Sequence, residues 1–456
     1  MAHCDDNLFK AFEALKSIMC KISCYTNFVT INDKVVAFNS FKGGIVQLDE
    51  KTMKQVSQGH FSDLPNNVLD TLKEGGIIVE EGLNEKALCK YQHDLIKYRN
   101  RSCYFLVAVT YKCNLACPYC YEGAGKEKHQ GHSTRDNAVQ ISKFIENVTL
   151  QSQGDKLKLI FYGGEPLINL QILGYILETL RDFSKQNLME FDANVVTNGT
   201  LLTEEMIEDL KQKGLEGVYV SIDGPQQIHD KRRVSKKDGK GTYEEIMKNI
   251  GLLLRKKLTV ELLVNVDKES SPYIPDLFDD LNKRGYSRLT LRLLLLKPAT
   301  NIVKDYPHFI LNQKEAEKVQ MELNFRAVEK GFSIKPIQLG LEPKYVSCPY
   351  LTTSSYVIGP QGDLYKCWAS LGNKEKMVGE IQEDGSLKVT PYYYEFMSKD
   401  PFTQNKCPNC KFLPLCGGGC PLLAEMQGGS LHTKMCSTLF LTDAIKVLIE
   451  QNERSK

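Results

Sequence analysis

The distribution of 15 cysteines constrains this chain of 456 residues more than any other feature of its sequence. Five cysteines lie before residue 104, three lie between residues 113 and 120, and seven lie between residues 348 and 436. The N-terminal residues lack a basic stretch followed by an apolar one, so we expect no export signal and a cytoplasmic location. In a reducing compartment, clustered cysteines bind metals or do chemistry more often than they form disulfides.

The composition is that of an ordinary globular protein, with 42% hydrophobic and 25% charged residues. No apolar stretch is long enough to span a bilayer, so we expect no membrane association. A formal net charge of +2 produces no strong electrostatic attraction between this protein and polyanions. We therefore expect no nucleic-acid partner.

Residues 1–95 have the pattern of a small winged-helix-like domain. Residues 29–38 alternate around an Asn-Asp turn and predict a hairpin. Residues 64–72 predict a short helix, and residues 77–81 predict a strand. A charged helix over residues 84–101 is expected to connect this domain to the next.

Residues 96–330 alternate between apolar strands and amphipathic helices. Such an order predicts a parallel sheet with right-handed crossovers, with functional loops after the strands. Six strand–helix units are too few for a closed eight-fold barrel, so we expect an α/β fold built on a partial (β/α)6 TIM-type barrel. The predicted strands cover residues 104–110, 157–162, 191–197, 217–222, 258–266 and 288–295.

Residues 331–456 show weak helical periodicity and are dense in Gly, Pro and Cys. A segment with so little regular structure needs covalent or metal cross-links to fold. We expect an irregular domain held together by metal centres.

Three cysteines, Cys113, Cys117 and Cys120, form a CxxxCxxC motif after the first predicted barrel strand. Thiolates at this spacing can hold three irons of a 4Fe–4S cluster and leave the fourth iron open for chemistry. A zinc site is the alternative, because His129 or His132 could complete a tetrahedral set. The position directly after a strand favours the cluster.

A Gly163-Gly164-Glu165-Pro166 motif follows the second predicted strand. Two glycines permit close approach of a ligand to the backbone, and a carboxylate can accept from an ammonium group. By itself the motif is often only a turn. The position of the motif one strand after the cysteine loop favours a functional role over a simple turn.

These two motifs together resemble the radical S-adenosylmethionine (SAM) superfamily. The resemblance extends to VTNGT at 196–200, VSIDGP at 220–225 and IHDKRR at 228–233. It implies that Cys113, Cys117 and Cys120 hold a catalytic 4Fe–4S cluster. Cleavage of SAM at the open iron would then yield a 5′-deoxyadenosyl radical that takes hydrogen from carbon.

The same resemblance implies a set of contacts to SAM. These are Gly163, Gly164 and Glu165 for the amine, Tyr119 for the adenine, Asn198 and Ser221 for the ribose, and Arg232 or Arg233 for the carboxylate. We assign the carboxylate to Arg233. The alternative for both arginines is a solvated basic run over residues 231–237.

Seven cysteines of the last domain match the SPASM pattern of radical SAM maturases. This resemblance implies two auxiliary 4Fe–4S clusters, and so three clusters in the chain. The distal auxiliary cluster would take Cys407, Cys410, Cys416 and Cys436, and the nearer one would take Cys348, Cys367 and Cys420. Two structural zinc sites are the alternative. The five remaining cysteines are interpreted as free or redox-inert thiols: Cys4, Cys20, Cys24, Cys89 and Cys103.

Two departures from the sulfatase-maturing relatives refine the expected activity. Trp368 stands where those relatives carry an acidic base, and residues 341–347 lack the cysteine that would complete the nearer cluster. An open iron there could bind a substrate cysteine, as in the thioether-forming maturases of sactipeptides and ranthipeptides. We therefore expect oxidative sulfur-to-carbon crosslinking of a ribosomally made precursor peptide.

The N-terminal domain resembles the winged-helix element that captures leader peptides by strand addition. The expected partners are a cysteine-containing precursor with its leader and an electron donor of the flavodoxin or ferredoxin type. Two alternatives stay open. One is another oxidative peptide maturase, forming carbon–carbon crosslinks or formylglycine, and the other is a non-catalytic cluster scaffold or redox sensor.

Overall fold

Three β-sheets organise the part of the chain that the computed structural model describes, which is residues 19–120, 131–287, 289–296, 309–436 and 441–454. A two-stranded and a three-stranded sheet lie in the N-terminal region, and one ten-stranded sheet runs through the rest. No helix within these described ranges has both the length and the apolarity needed to cross a bilayer.

The N-terminal region combines antiparallel strands with three helices. Its elements are β1 (Cys20–Ile22), β2 (Thr26–Ile31), β3 (Lys34–Asn39), β4 (Ile45–Leu48), α1 (Glu50–Ser57), α2 (Asn66–Glu74), β5 (Ile78–Glu80) and α3 (Glu85–Arg99). The strand order is β2-β3-β4 in one sheet and β1-β5 in the other. The predicted hairpin is confirmed, because Asn32 and Asp33 both adopt positive φ in its two-residue turn. The predicted helix and strand after it are confirmed as α2 and β5.

Six parallel strands form one side of the large sheet, from one of its edges inward, and the parallel arrangement is as predicted. They are β6 (Ser102–Thr110), β7 (Lys156–Gly163), β8 (Glu190–Thr197), β9 (Gly217–Ile222), β10 (Thr259–Val266) and β11 (Thr290–Leu295). Each strand pairs in parallel with the next one along the chain. The helices among and after them are α4 (Arg135–Gln151), α5 (Leu170–Gln186), α6 (Glu204–Gln212), α7 (Gln226–Arg232), α8 (Tyr243–Arg255), α9 (Ile274–Lys283) and α10 (Gln313–Glu329).

Alternation along β7 shows how the sheet divides its two faces. Leu157, Leu159 and Phe161 are fully buried in the main hydrophobic core together with residues of the crossover helices. Lys158 points to the other face, where its Nζ lies 2.8 Å from Asp192 on β8. One face of the strand therefore supplies the core and the other supplies a polar interior.

The sheet does not close on itself after six strands. β6 pairs instead with β12 (Tyr356–Ile358) of the C-terminal region, also in parallel. The remaining C-terminal elements are β13 (Asp363–Tyr365), β14 (Gly379–Ile381), β15 (Leu387–Val389), α11 (Pro391–Met397), α12 (Leu413–Cys416), α13 (Pro421–Met426) and α14 (Leu441–Arg454). The result is an α/β fold with a large, mostly parallel sheet that resembles the radical SAM partial barrel.

The weak helical periodicity assigned to the C-terminal region is wrong for its last segment. Helix α14 is amphipathic over 14 residues and packs against α10 of the barrel region. Its buried side chains Leu441, Ala444 and Ile445 follow helical spacing. The final helix therefore anchors the C-terminal region to the barrel.

Helix α3 is more than the connector that its charge predicts. One face buries Cys89, His93 and Lys97, which are spaced four residues apart. Cys89 packs in an apolar cluster with Tyr25 of the N-terminal region and Cys407 of the C-terminal region. The helix therefore joins the first and last regions of the described chain.

Candidate active site and auxiliary centres

The loop after β6 brings Cys113, Cys117 and Cys120 together at the carboxyl end of the barrel strands. Leu115 donates its backbone N–H to Cys113 Sγ at 3.4 Å. Burial, with a smaller effect from neighbouring thiols of the motif, raises the pKa of Cys113 to about 11 and that of Cys117 to about 12. Without a metal these groups are neutral thiols, and a bound metal would displace their protons.

A chain of hydrogen bonds between polar side chains fixes the shape of this loop. Asn198 donates to Asn114 Oδ1 at 2.8 Å, and Asn114 donates to Thr200 Oγ1 at 2.8 Å. The carbonyl side of Asn198 accepts from Thr200. Because both ends of the Asn198 amide are engaged, this residue positions the cysteine loop, a role that the sequence did not indicate.

The zinc alternative has no geometric support in the described ranges. No three His, Cys, Asp or Glu side chains there converge closely enough to hold a single ion. A four-iron cluster holds its thiolates farther apart than zinc does, because irons and sulfides lie between them. His132 contacts Thr110 Oγ1 at 3.0 Å, and His129 lies outside the described residues.

The two glycines after β7 are required by the neighbouring backbone. A Cβ on Gly163, whose φ is +131°, would lie 2.2 Å from the carbonyl oxygen of Thr110. A Cβ on Gly164 would lie 2.4 Å from that of Lys112. The glycines therefore let the end of β7 approach the start of the cysteine loop, which places Glu165 beside it.

Glu165 is completely buried and anchored from three sides. Its carboxylate accepts from Leu167 N at 3.1 Å, Thr197 Oγ1 at 2.8 Å and Asn198 N at 2.8 Å. Burial raises its pKa to about 7, although these hydrogen bonds oppose the shift. A cationic ligand beside this carboxylate would stabilise its charged form.

The two candidate arginines have different environments. Arg232 is held by Asp267 through two hydrogen bonds of 2.5 and 3.2 Å and by Glu269 at 2.8 Å. Arg233 lies 3.3 Å from Tyr119 Oη and 3.6 Å from Asp223. Their exposed fractions of 5% and 8% show that the solvated basic run is the wrong interpretation.

Arg233 keeps hydrogen-bonding capacity toward the cysteine loop. Its Nε is buried and has no hydrogen-bond partner among the described residues. Burial lowers the pKa of this guanidinium, but Cys117, Tyr119 and Asp223 outweigh burial and raise it above the ordinary value. The site thus holds a buried cation facing the cysteines, which suits an anionic group bound there.

Asp223 connects several strands of the site, although no role was assigned to it from the sequence. It accepts a hydrogen bond from the Tyr119 hydroxyl, and Asn265 Nδ2 donates to it at 3.0 Å. The sequence pointed to a functional role for Asp223 only through the place of this residue in the VSIDGP segment. Ser221 lies two residues earlier on β9 and is half-buried.

The cysteines Cys348, Cys367 and Cys420 form one group in the C-terminal region. Burial raises the pKa of Cys348 to about 11, and Cys420 raises it further. Burial also raises the pKa of Cys367, with added effects from the other two thiols. Cys348 packs with Tyr162 of the barrel in one apolar cluster, so this group lies next to the barrel.

The remaining SPASM cysteines form a second group. Burial raises the pKa of Cys407, and the nearby thiols of Cys416, Cys436 and Cys410 raise it further. Cys407 is 9% exposed and packs against Cys89 of α3. Cys407 therefore lies among Cys410, Cys416 and Cys436, and the assignment of the seven cysteines to two clusters stays a prediction.

Two buried lysines test whether these groups suit an anionic cofactor. Lys366 and Lys399 are each 2% exposed, and within the described ranges neither has a carboxylate within 4 Å. Burial lowers the pKa of both lysines, and cysteines oppose this shift: Cys348 for Lys366, and Cys420, Cys407 and Cys416 for Lys399. A buried, unpaired ammonium is costly. Iron–sulfur clusters on these thiolates would supply the missing negative charge, so the residues fit the cofactor.

Comparison with known proteins agrees with this geometry. Residues 107–281 match the model of the radical SAM superfamily. The protein is a radical SAM enzyme. That assignment implies a 4Fe–4S cluster and SAM as cofactors.

The similarity to individual proteins extends beyond the barrel. The chain is 23% identical to the radical SAM cyclopropyl synthase TigE of Paramaledivibacter caminithermalis, over 90% of this chain and 91% of that protein. It is 25% identical to a cysteine-type anaerobic sulfatase-maturating enzyme of Clostridium novyi, over 68% of this chain and 84% of that protein. This radical SAM enzyme is related to the SPASM-containing maturases.

Two solved structures share the fold. The structure of anSMEcpe with bound AdoMet and the Cp18Cys peptide gives a TM-score of 0.55 at 20% identity, covering 77% of this chain and 96% of that one. The structure of Streptococcus suis SuiB bound to precursor peptide SuiA gives 0.55 at 14% identity, covering 93% and 100%. At these identities the likeness concerns the fold alone.

Proposed function

We propose that this radical SAM enzyme oxidatively modifies a ribosomally made precursor peptide by joining a cysteine sulfur to a carbon atom. The observation that carries the proposal is the three-cysteine group of Cys348, Cys367 and Cys420 beside the barrel. A cluster on three thiolates keeps one iron open to a substrate thiol.

The spare cysteines of the described chain have other neighbours. Cys89 packs with Cys407, Cys103 lies beside Thr149, and Cys24 lies beside Glu85. Cys20 lies on β1 and pairs with Glu80 of β5. Cys4 lies outside the described residues. This distribution supports an open position on the nearer cluster.

The barrel site supplies the contacts for SAM. We assign the amine to Glu165 with the backbone of Gly163 and Gly164, and the carboxylate to the buried Arg233. The adenine and ribose are assigned to Tyr119, Asn198 and Ser221. Because Asn198 already holds the cysteine loop, its contribution to the ribose would come through the position of its backbone.

When bound, the cluster on Cys113, Cys117 and Cys120 and SAM supply a radical that takes a hydrogen atom from the peptide. The protein's own residues orient the two groups and exclude water. Asp223 holds Tyr119 and faces Arg233, so the cation that binds the carboxylate has a fixed position. The electron donor would be a flavodoxin or ferredoxin.

The nearer auxiliary group would bring the substrate sulfur to the reacting carbon. Cys348 shares an apolar cluster with Tyr162, the residue that precedes Gly163 in the barrel site. A thiolate held on an open iron here would be deprotonated and close to the radical carbon. The side chain after Cys367 is Trp368, which is 43% exposed and cannot act as a base.

The N-terminal region is proposed to bind the leader segment. Among the described residues, strand β4 pairs with β3 alone and forms an edge of its sheet, so its outer side can accept an added strand. Tyr345 Oη donates to Phe41 O at 2.6 Å, which connects this region to the segment before Cys348. A leader bound at β4 would therefore lie on a unit fixed to the auxiliary region.

Carbon–carbon bond formation is the second candidate, because the similarity to a cyclopropyl synthase covers nearly the whole chain. Formylglycine formation is the third, because the sulfatase-maturating relative is similar over 68% of this chain. Both are oxidative modifications of a polypeptide. They differ from thioether formation in what happens to the cysteine thiol.

The test uses the reconstituted enzyme, SAM, a reductant and any short cysteine-containing peptide that the neighbouring genes encode. A thioether lowers the peptide mass by two hydrogens and removes one thiol that iodoacetamide can alkylate. The same mass loss with every thiol still alkylated identifies carbon–carbon bond formation. Loss of sulfur identifies formylglycine, and an unchanged peptide with intact SAM contradicts an enzymatic role.

A further inference from the structure

Arg292 is a cation on the interior face of the barrel to which the proposed SAM site gives no role. Its neighbours on β11, Leu291 and Leu293, are buried in the main hydrophobic core. Because side chains alternate along a strand, Arg292 lies on the opposite face, which is the polar interior. Its side chain is 34% exposed. The guanidinium therefore borders the space inside the partial barrel and is accessible to a ligand there.

The strand register places Arg292 level with the proposed SAM site. Ser221 on β9, which is assigned to the ribose, pairs with Leu263 on β10, and Leu263 pairs with Arg292. Since neighbouring strands lie about 4.8 Å apart, the backbone of Arg292 is about 10 Å from that of Ser221. An extended peptide spans about 3.3–3.6 Å per residue, so a peptide group bound by Arg292 would lie a few residues from the reacting carbon.

A second cation reaches the same point from the other side of β11. Ser333 forms a parallel bridge with Thr290, so Lys335 lies level with Arg292. Glu261, whose side chain is 1% exposed, accepts from Arg292 Nε at 2.5 Å and from Lys335 Nζ at 2.6 Å. One carboxylate thus serves two cations, and the group keeps one positive charge in excess.

The guanidinium of Arg292 is held in place but retains donors for a ligand. Its Nε is bound by Glu261, and its plane lies over Tyr219, with 5.5 Å between the guanidinium carbon and the ring centre. Within the described ranges its two terminal nitrogens donate no hydrogen bond. By contrast, Lys158 and Asp192 on the same interior face pair one to one. The unused donors and the excess charge are both features of a site for an anionic group.

We propose that Arg292, together with Lys335, binds a carboxylate of the precursor peptide while the reacting residue lies beside SAM. The inference rests on the proposed peptide-modifying function and adds a substrate subsite to it. The carboxylate belongs either to an acidic side chain or to the C-terminus of the peptide, since a guanidinium binds both in the same way. Leu294, the next interior residue of β11, is 37% exposed and would contact an apolar part of the peptide.

Arg284 of α9 is a matched control for Arg292. Its side chain is 29% exposed, and its guanidinium carbon lies 5.7 Å from the centre of the Tyr243 ring. All three of its side-chain nitrogens donate to the carboxylates of Asp280 and Glu244. Arg284→Met therefore removes an arginine of similar exposure that also lies over a tyrosine, but one whose donors are already used.

The experiment measures binding of short synthetic peptides to the full-length, reconstituted protein with SAM and without reductant. The peptides share one acetylated sequence with a cysteine placed one to a few residues before the last residue. The last residue is glutamate with an amidated C-terminus, glutamine with a free C-terminus, or glutamine with an amidated C-terminus. Calorimetry gives the three affinities. Whichever acidic peptide binds more tightly than the neutral one identifies the source of the carboxylate.

The wild-type protein should bind one of the acidic peptides about 10- to 100-fold more tightly than the neutral peptide, as expected for charge-assisted hydrogen bonds. Arg292→Met should abolish this preference. Arg292→Lys should retain part of it, because the charge remains and the paired donors do not. Lys335→Met should reduce it, because the remaining Arg292 and Glu261 cancel each other. Arg284→Met should leave it unchanged.

The proposal is overturned if the wild-type protein binds all three peptides equally or binds none. A preference that survives in Arg292→Met, or that is lost equally in Arg284→Met, also overturns it. If Arg292→Met does not fold, Lys335→Met decides, because its side chain is 46% exposed and Glu261 keeps Arg292 as a partner. An unchanged preference in that variant again overturns the proposal.

These measurements need no turnover, so they separate the subsite from the proposed function. A preference for a carboxylate without any peptide modification would support the subsite and contradict the function. Modification of a peptide without such a preference would do the reverse.

Discussion

The barrel site and the auxiliary region both gather cysteines, but they surround them with opposite kinds of polar groups. Around Cys117 the buried charges are paired, since Arg233 faces Asp223 and Tyr119. Around the auxiliary cysteines, the hydrogen bonds that Lys366 and Lys399 make within the described chain go to carbonyl oxygens, and burial lowers the pKa of both. Paired groups suit a site that must bind a zwitterionic ligand, whereas lysines without an acidic partner suit a region whose negative charge comes from its cofactors.

The largest effect that separates the two regions is expected from replacing Cys113, Cys117 and Cys120 by Ala. SAM cleavage should be abolished, because no other thiols of the described chain lie at this loop. Iron should fall from about twelve to about eight atoms per chain, since each 4Fe–4S cluster holds four. Deoxyadenosine by chromatography and iron by elemental analysis check this. Loss of all iron would show that the auxiliary region depends on the barrel cluster.

The complementary variant, in the auxiliary region, replaces Cys348, Cys367 and Cys420 by Ala. Uncoupled SAM cleavage should continue, because the barrel site keeps its own ligands, while peptide modification should cease. Iron should again fall by about four atoms per chain. Chromatography of deoxyadenosine alongside mass spectrometry of the peptide separates the two activities. Retained peptide modification would contradict a chemical role for the nearer group.

Sequence patterns predicted the barrel strands well because strand patterns depend on local spacing. The strand over residues 217–222 was predicted to the residue, and its short apolar run is typical of a buried strand in a parallel sheet. Packing partners were not predictable in this way. Nothing in the order Arg232-Arg233 shows which side chain will meet Asp267, because that carboxylate reaches it only when β10 and α7 pack together.

The same limit explains the two misjudged helices. Helix α3 was interpreted from its charge as a connector, but its buried face includes Lys97, a residue normally exposed. Helix α14 was hidden by the irregular, cysteine-rich segment before it. The close approach of Gly163 to the carbonyl oxygen of Thr110 was not predictable either, because Thr110 lies about fifty residues earlier in the chain.

The two arginines provide the next test of the paired environment. Arg233→Met should weaken SAM binding by about 10- to 100-fold, the loss expected for charge-assisted hydrogen bonds to the carboxylate. Arg232→Met should instead lower the free energy of unfolding by about 3–5 kcal/mol, because it leaves Asp267 buried without its partner. Calorimetry of SAM binding and thermal denaturation distinguish the two. Weakened SAM binding confined to Arg232→Met would reverse the assignment.

The smallest expected effect depends on pH and concerns Glu165. Its pKa of about 7 in the SAM-free protein is raised above the ordinary value of 4.5 by burial, so the carboxyl is protonated at lower pH. Binding the ammonium of SAM requires the ionised form. SAM affinity should therefore be constant above pH 7 and fall below it, by at most about tenfold per pH unit. Glu165→Gln should bind SAM more weakly and without this dependence.

Glu261→Gln is the matched control for Glu165, because Glu261 is an equally buried glutamate on β10 that pairs with Arg292 and Lys335 away from the cysteine loop. Its pH profile of SAM binding should match that of the wild-type protein. Calorimetric titrations between pH 6 and pH 8 provide the comparison. A wild-type affinity that does not change over this range would show that Glu165 is already ionised, and that the paired environment of the barrel site extends to its most buried carboxylate.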